Sequence, residues 1–164
     1  MESTKTETLN EIMDELASQL NISNTMEDKA VRAYTTIGEW LEGNAEGEDV
    51  VVYPQGSFGL GTVVRPLSGA DDDYDIDLVC QLPGMHGASA RAIKRLPGKR
   101  LKENALYSSK MEPEGKRCWT LDYEQFHVDI LPCTNESTMS DERIRLTNKD
   151  PNTGIYSDVS AGII

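Results

Sequence analysis

Positive charge is scarce in this chain: 16 Lys and Arg stand against 28 Asp and Glu, for a net charge of -12. A surface this acidic repels polyphosphate at long range and argues against stable DNA or RNA binding through a broad basic groove. It leaves room for small nucleotides carried in with a metal ion. Cysteine is also sparse. Cys80, Cys118 and Cys133 are too far apart for a CxxC zinc or redox pair, and each reads as a small buried hydrophobe. An odd count without a signal peptide points to a reducing cytoplasm. No apolar run approaches the ~18 residues that a membrane span requires, so no membrane role is expected. There is no Walker A loop, no internal repeat and no low-complexity segment. With 164 residues, 38% hydrophobic and 27% charged, the chain has room for one domain with a modest core under a charged surface.

The order of elements follows from periodicity. Leu9, Ile12, Met13, Leu16 and Leu20 recur at helical spacing and define an amphipathic first helix. Thr25 and Asp28 form a variant capping box for a second, whose apolar stripe is Val31, Tyr34, Ile37, Trp40 and Leu41. "VVVYP" is a short strand stopped by Pro54. "QGSFGLGTVVRPLSG" is a turn or short helical segment, and "YDIDLVCQL" a strand entering the core. "ASARAIKRLPGKRLKENAL" is a basic helical region interrupted at Pro97-Gly98. "CWTLDY" and "FHVDILP" form an antiparallel hairpin about Glu124 and Gln125, and "RIRLTNK" one more strand. The order implies a mixed α/β or α+β sheet with helices on one face.

"GADDDYDIDLV" puts five aspartates into seven residues. Side chains two apart on a strand share a face, so Asp75 and Asp77 point one way while Ile76 and Leu78 enter the core. Paired carboxylates on a strand suit hard divalent cations. Asp71, Asp72 and Asp73 precede the apolar run and read as a solvated loop. An EF-hand loop is excluded, because neither Asp71 nor Asp73 as its start puts Gly sixth and Glu twelfth. In "FHVDILP", Asp129 sits between inward-facing Val128 and Ile130. A carboxylate there needs a partner, either as a cap or salt-bridge member or as a third metal ligand. Three strand carboxylates could converge on two cations ~3.5–4 Å apart, the geometry of two-metal phosphoryl transfer.

Upstream, "QGSFG" has two readings: an ordinary turn, or an anion-binding nest built from the amides of Gly56, Ser57 and Phe58 with help from the Ser57 hydroxyl.

In this order, "GS", "DIDLV" and "HVDILP" resemble the polymerase-β-type nucleotidyltransferase superfamily. The longer string "QGSFGLGTVVRPLSGADDDYDIDLVCQL" is similar to the CD-NTases, the bacterial relatives of cyclic GMP-AMP synthase and oligoadenylate synthase in anti-phage CBASS signalling. The resemblance implies an α+β nucleotidyltransferase core with a mixed or antiparallel sheet and N-terminal helices packed on it. It implies that Asp75 and Asp77 bind both of two Mg2+ ions (or Mn2+), that Asp129 holds the ion activating the attacking hydroxyl, and that Gly56 and Ser57 cradle the donor's terminal phosphates. Substrates would be ATP, GTP, UTP or CTP. A ribose hydroxyl would attack an α-phosphate and expel pyrophosphate, giving a cyclic di- or oligonucleotide messenger. The expected division is a helical segment 1–46, a catalytic core 47–148 and an irregular tail 149–164, without the C-terminal helical lobe of the family. Base contacts would then be missing, which implies weak binding with little base preference. A non-catalytic nucleotide-binding or sensor protein on the same fold is the alternative reading.

His127 shares parity with Asp129 and reads as structural, or else as a ligand or supporting partner. Arg91, Lys94, Arg95, Lys99, Arg100 and Lys102 form the only basic cluster in the chain, either a solvated helix face or one attracting nucleotide or a regulatory protein partner.

Overall fold

The computed structural model describes residues 2–43, 49–64, 74–137 and 140–162. Two helices, α1 (Glu2–Leu20) and α2 (Asn24–Gly43), lead into β1 (Val51–Gln55) and the short α3 (Gly56–Leu60). After β2 (Tyr74–Gln81) come α4 (Ala90–Glu103), α5 (Ala105–Lys110) and the strands β3 (Trp119–Tyr123), β4 (Phe126–Ser137), β5 (Ser140–Lys149) and β6 (Tyr156–Gly162). The expected loop aspartates Asp71, Asp72 and Asp73 lie outside the described residues.

The strands form one sheet of order β1-β2-β4-β5-β6, with β3 also pairing β4. Only β2 and β4 run parallel, and the long connection between them carries α4 and α5. Alternation along β2 and β4 divides the sheet's two faces. Ile76, Leu78, Val128 and Ile130 are fully buried and join Ala30, Ile37 and Leu41 of α2 and Leu101 of α4 in the main core. A smaller cluster of Val79, Cys133 and Ile144 lies apart from it. The three cysteines are free thiols, two buried and Cys118 half-buried.

Several local expectations change. Strand β1 runs through Pro54 to Gln55, because β1 is an edge strand and an edge tolerates a residue with no N–H to donate. Helix α4 likewise continues through Pro97. Pro97 and Gly98 are buried, and Gly98 leaves no room for a side chain against the Trp119 ring, so packing against β3 holds the helix together across the proline. The cap of α2 is Ser23, whose Oγ accepts from the Met26 amide at 3.3 Å. Its inward face is Ala30, Ala33, Ile37 and Leu41, which leaves Val31 outside.

The tail expected to be irregular contains β6, paired antiparallel with β5 from Lys149↔Tyr156 to Arg143↔Gly162. Residues 157–160 are all exposed, and so short and polar an alternation is too weak to read as a strand without a partner. Of the two N-terminal helices, α2 packs on the sheet. The apolar stripe of α1 does not: Leu9, Ile12, Met13 and Leu16 are each more than half exposed. Among the described residues no helix is long and apolar enough to cross a membrane.

Candidate functional site

The register of the one parallel strand pair builds the site. Asp77 of β2 lies directly beside Asp129 of β4, and Asp75 beside His127. Paired residues on neighbouring strands face the same side, about 4.8 Å apart. All three aspartates therefore share the face opposite the main core. Asp77 and Asp129 are half-buried, and Asp75 is exposed.

Strand β1 brings the glycine-serine turn to the same place. Gln55 is the register partner of Asp77, and the chain turns at once into α3. Gly56 takes a φ of +65°, the left-handed region that a side chain rarely adopts. A Cβ there would stand 2.7 Å from Oδ2 of Asp77. The turn thus closes one side of the carboxylate with bare backbone, and the exposed Ser57 follows immediately.

From the other side, β3 supplies Thr120, the register partner of Asp129. Its hydroxyl donates to Oδ1 of Asp129 at 2.6 Å. Cys118 lies 3.8 Å from that hydroxyl, and its thiol is pushed up first by burial and then by the Asp129 charge. His127 faces Asp122 across the hairpin at 3.5 Å. Sequence reasoning missed Thr120, although the signal was present: counting back from the Glu124–Gln125 turn puts it opposite Asp129.

The electrostatics are those of crowded like charges. The Asp77 carboxyl is raised above its ordinary 3.8 by desolvation, then by Asp129 and Asp75. Among the described residues no Lys or Arg pairs with any of the three aspartates. Nor do three or more His, Cys, Asp or Glu side chains form a ready-made metal cage among them. An all-oxygen set with no cation paired to it among the described residues, and backbone in place of a side chain at Gly56, suits a hard divalent cation bound together with phosphate.

One mixed sheet thus carries carboxylates on paired strands with a glycine-serine turn against them. The chain superposes on the structure of the Bradyrhizobium diazoefficiens CD-NTase CdnG in complex with GTP, with a TM-score of 0.71 and 25% identity, covering 90% of this chain and 42% of that one. Vibrio cholerae DncV cyclic AMP-GMP synthase shares the fold, with a TM-score of 0.60 at 15% identity, 88% of this chain and 55% of that one being covered. Residues 8–153 match the Second Messenger Oligonucleotide or Dinucleotide Synthetase domain, and the chain belongs to that family, as a bacterial CD-NTase. It is 28% identical over 145 residues to a c-di-GMP synthase of Roseivirga ehrenbergii, a match covering 86% of this chain and 38% of the relative. It spans well under half the length of the curated relatives it matches.

Proposed function

We propose that this chain is the catalytic core of a metal-dependent nucleotidyltransferase that joins nucleoside triphosphates into a cyclic di- or oligonucleotide messenger. The observation that carries the reading is the pairing of Asp77 with Asp129, with Gly56 closed against Asp77. Asp75, Asp77 and Asp129 are the residues that would hold divalent cations, Mg2+ or Mn2+. Bound there, such ions would neutralise phosphate charge and favour the hydroxylate of the attacking ribose.

The chain's own part is positioning. Gly56 lets a phosphate approach the turn without meeting a side chain, and Ser57 offers a hydroxyl at the same edge. Thr120 fixes one oxygen of Asp129 and makes no hydrogen bond to the other. Attack on the α-phosphate forms the new phosphodiester bond, and the bond to the departing pyrophosphate breaks. No covalent protein intermediate is required.

ATP and GTP are the first substrates to test, since relatives are described with GTP and as c-di-GMP or cyclic AMP-GMP synthases. A role in anti-phage defence, a cytoplasmic location and a regulatory protein partner belong to the same proposal. The division into a helical segment 1–46, a core 47–148 and residues 149–164 is kept as a proposal too, with β6 now assigned to the last part.

The deciding experiment incubates the chain with labelled ribonucleoside triphosphates and Mg2+ and resolves the products, alongside Asp77→Asn and Asp129→Asn. Metal-dependent oligonucleotide product, absent in both variants, is expected. Magnesium-dependent nucleotide binding without product would favour the sensor reading.

A further inference from the structure

The basic cluster is not used by the carboxylate site, and its position explains why. Trp119 and Thr120 are neighbours on β3 and face opposite sides of the sheet. Thr120 reaches Asp129, whereas the Trp119 indole donates at 2.8 Å to the Lys94 carbonyl of α4. Beside Trp119 opens a cleft of about 1080 Å3, between α4, the end of α2 at Gly43, Glu114 and Tyr156 of β6. That volume lies just above the upper end of small-molecule sites, roughly 300–1,000 Å3, so a compact ligand fits with room for water.

Arg95, Lys99 and Lys102 line the cleft at helical spacing on one side of α4. Among the described residues, the nearby carboxylates barely offset them. Glu114 is already engaged by Lys149 at 2.7 Å and by the Tyr156 hydroxyl. Glu103 meets Lys99 at 3.6 Å, but those side chains are 51% and 73% exposed, so the pair is weak. Arg95 pairs with no carboxylate among the described residues, and Lys102 lies over the Trp119 ring at 5.4 Å. Arg100 is not available, because its guanidinium donates to the buried Leu41 carbonyl. In a protein of net charge -12, this is a concave surface on which Arg95, Lys99 and Lys102 outnumber Glu103, the one lining carboxylate among the described residues not held by Lys149 and Tyr156.

We propose that this cleft is a second ligand site, separate from the Asp77–Asp129 face, for a compact polyanion of the di- or triphosphate class. Arg95, Lys99 and Lys102 supply the charge, and Leu96, Gly98 and Trp119 form the floor. A ligand here touches α4 and β3, the elements that carry Trp119 and, one residue on, Thr120. Occupancy is therefore positioned to be felt at Asp129.

The test uses the whole chain in EDTA, where bare carboxylates repel phosphate and only a cationic site attracts it. Pyrophosphate and tripolyphosphate are titrated by calorimetry, with citrate to separate phosphate from general polyanion recognition. The indole N–H resonances of Trp40 and Trp119 are followed in parallel. Expected are saturable binding that weakens with salt, a shift at Trp119, and at least about ten-fold loss of affinity in Arg95→Glu/Lys99→Glu. Asp77→Asn should bind as well as the parent. Both basic residues are solvent-exposed, so an unchanged melting temperature is expected to confirm that the double variant folds. Absence of saturable binding, equal binding by the double variant, binding lost in Asp77→Asn, or citrate binding as tightly as tripolyphosphate would each overturn the proposal.

Discussion

A methyl group placed on Gly56 would stand 2.7 Å from Oδ2 of Asp77. The glycine also sits at φ +65°, so a side chain there meets two penalties, backbone strain and collision with a carboxylate. Gly56→Ala should therefore move the turn or the Asp77 side chain. A displacement near 1 Å at a reacting centre lowers turnover by about 100-fold. The expected result is a loss of that size in product formation with a modest fall in melting temperature. Full activity in the alanine variant would separate the turn from the site.

Asp77 and Asp129 sit side by side, and no Lys or Arg among the described residues pairs with either, so the metal-free fold bears their repulsion. Asp77→Asn should reduce product formation by about 100-fold or more. In EDTA its melting temperature should match or exceed the parent's. The sign follows from linkage. The folded-state carboxyl is raised above 3.8, so the native parent binds a proton that the unfolded chain has released. Its stability falls as pH rises from 3.8 through the raised value, and the advantage of the asparagine variant should grow over the same window. A variant markedly less stable in EDTA at neutral pH would make the pair structural.

Thr120 acts through Asp129 and is a positioning residue. Thr120→Val keeps the shape and removes the 2.6 Å donor. Groups that orient metal-binding carboxylates typically affect metal affinity by about 10- to 100-fold. The valine variant should need roughly ten-fold more Mg2+ for half-maximal activity, while Thr120→Ser should behave nearly as the parent. Equal impairment of both variants, or of neither, would remove the hydroxyl from the argument.

Much of this site was legible in the sequence because a strand's period of two assigns faces without tertiary information. Asp75 and Asp77 share a face by parity alone, Asp129 points away from its own apolar neighbours Val128 and Ile130, and the hairpin at Glu124–Gln125 fixes its own register. What parity cannot supply is which strands are neighbours. The lateral match of Asp77 with Asp129 and the closure of Gly56 on Asp77 are long-range facts. The failures share that origin. Pro54 and Pro97 look like stops locally, yet an edge position and the contact with Trp119 accommodate them. Strand β6 exists because β5 offers it hydrogen bonds.

Glu114 ties the segment before β3 to both β5 and β6, through Lys149 and Tyr156. Burial alone would raise its carboxyl, but hydrogen bonds from those two residues and the charges of Lys149 and Lys94 bring it below its ordinary 4.5. A depressed folded value means that the stabilisation is present above 4.5 and disappears as pH falls through the lowered value. Glu114→Gln should melt below the parent at pH 7, and the gap should close as the pH drops beneath 4.5. A gap independent of pH would mean that shape, not charge, holds this corner.

The stripe on α1 tests whether periodicity alone carries stability. Leu9, Met13 and Leu16 have the spacing of a core face but are 58%, 59% and 52% exposed, whereas Leu41 of α2 is fully buried. Removing buried methyl groups forfeits transfer free energy and leaves a cavity, so Leu41→Ala should destabilise by about 2–5 kcal/mol. An exposed apolar side chain has little burial to lose. Leu9→Gln, Met13→Gln and Leu16→Gln, made singly, should each stay within about 0.5 kcal/mol of the parent in urea unfolding of this chain. Glutamine also keeps the helix propensity, which isolates the burial term. A loss at Leu9 or Leu16 comparable to that at Leu41 would show that α1 packs its apolar face in solution, with a contact that the exposed stripe does not reveal.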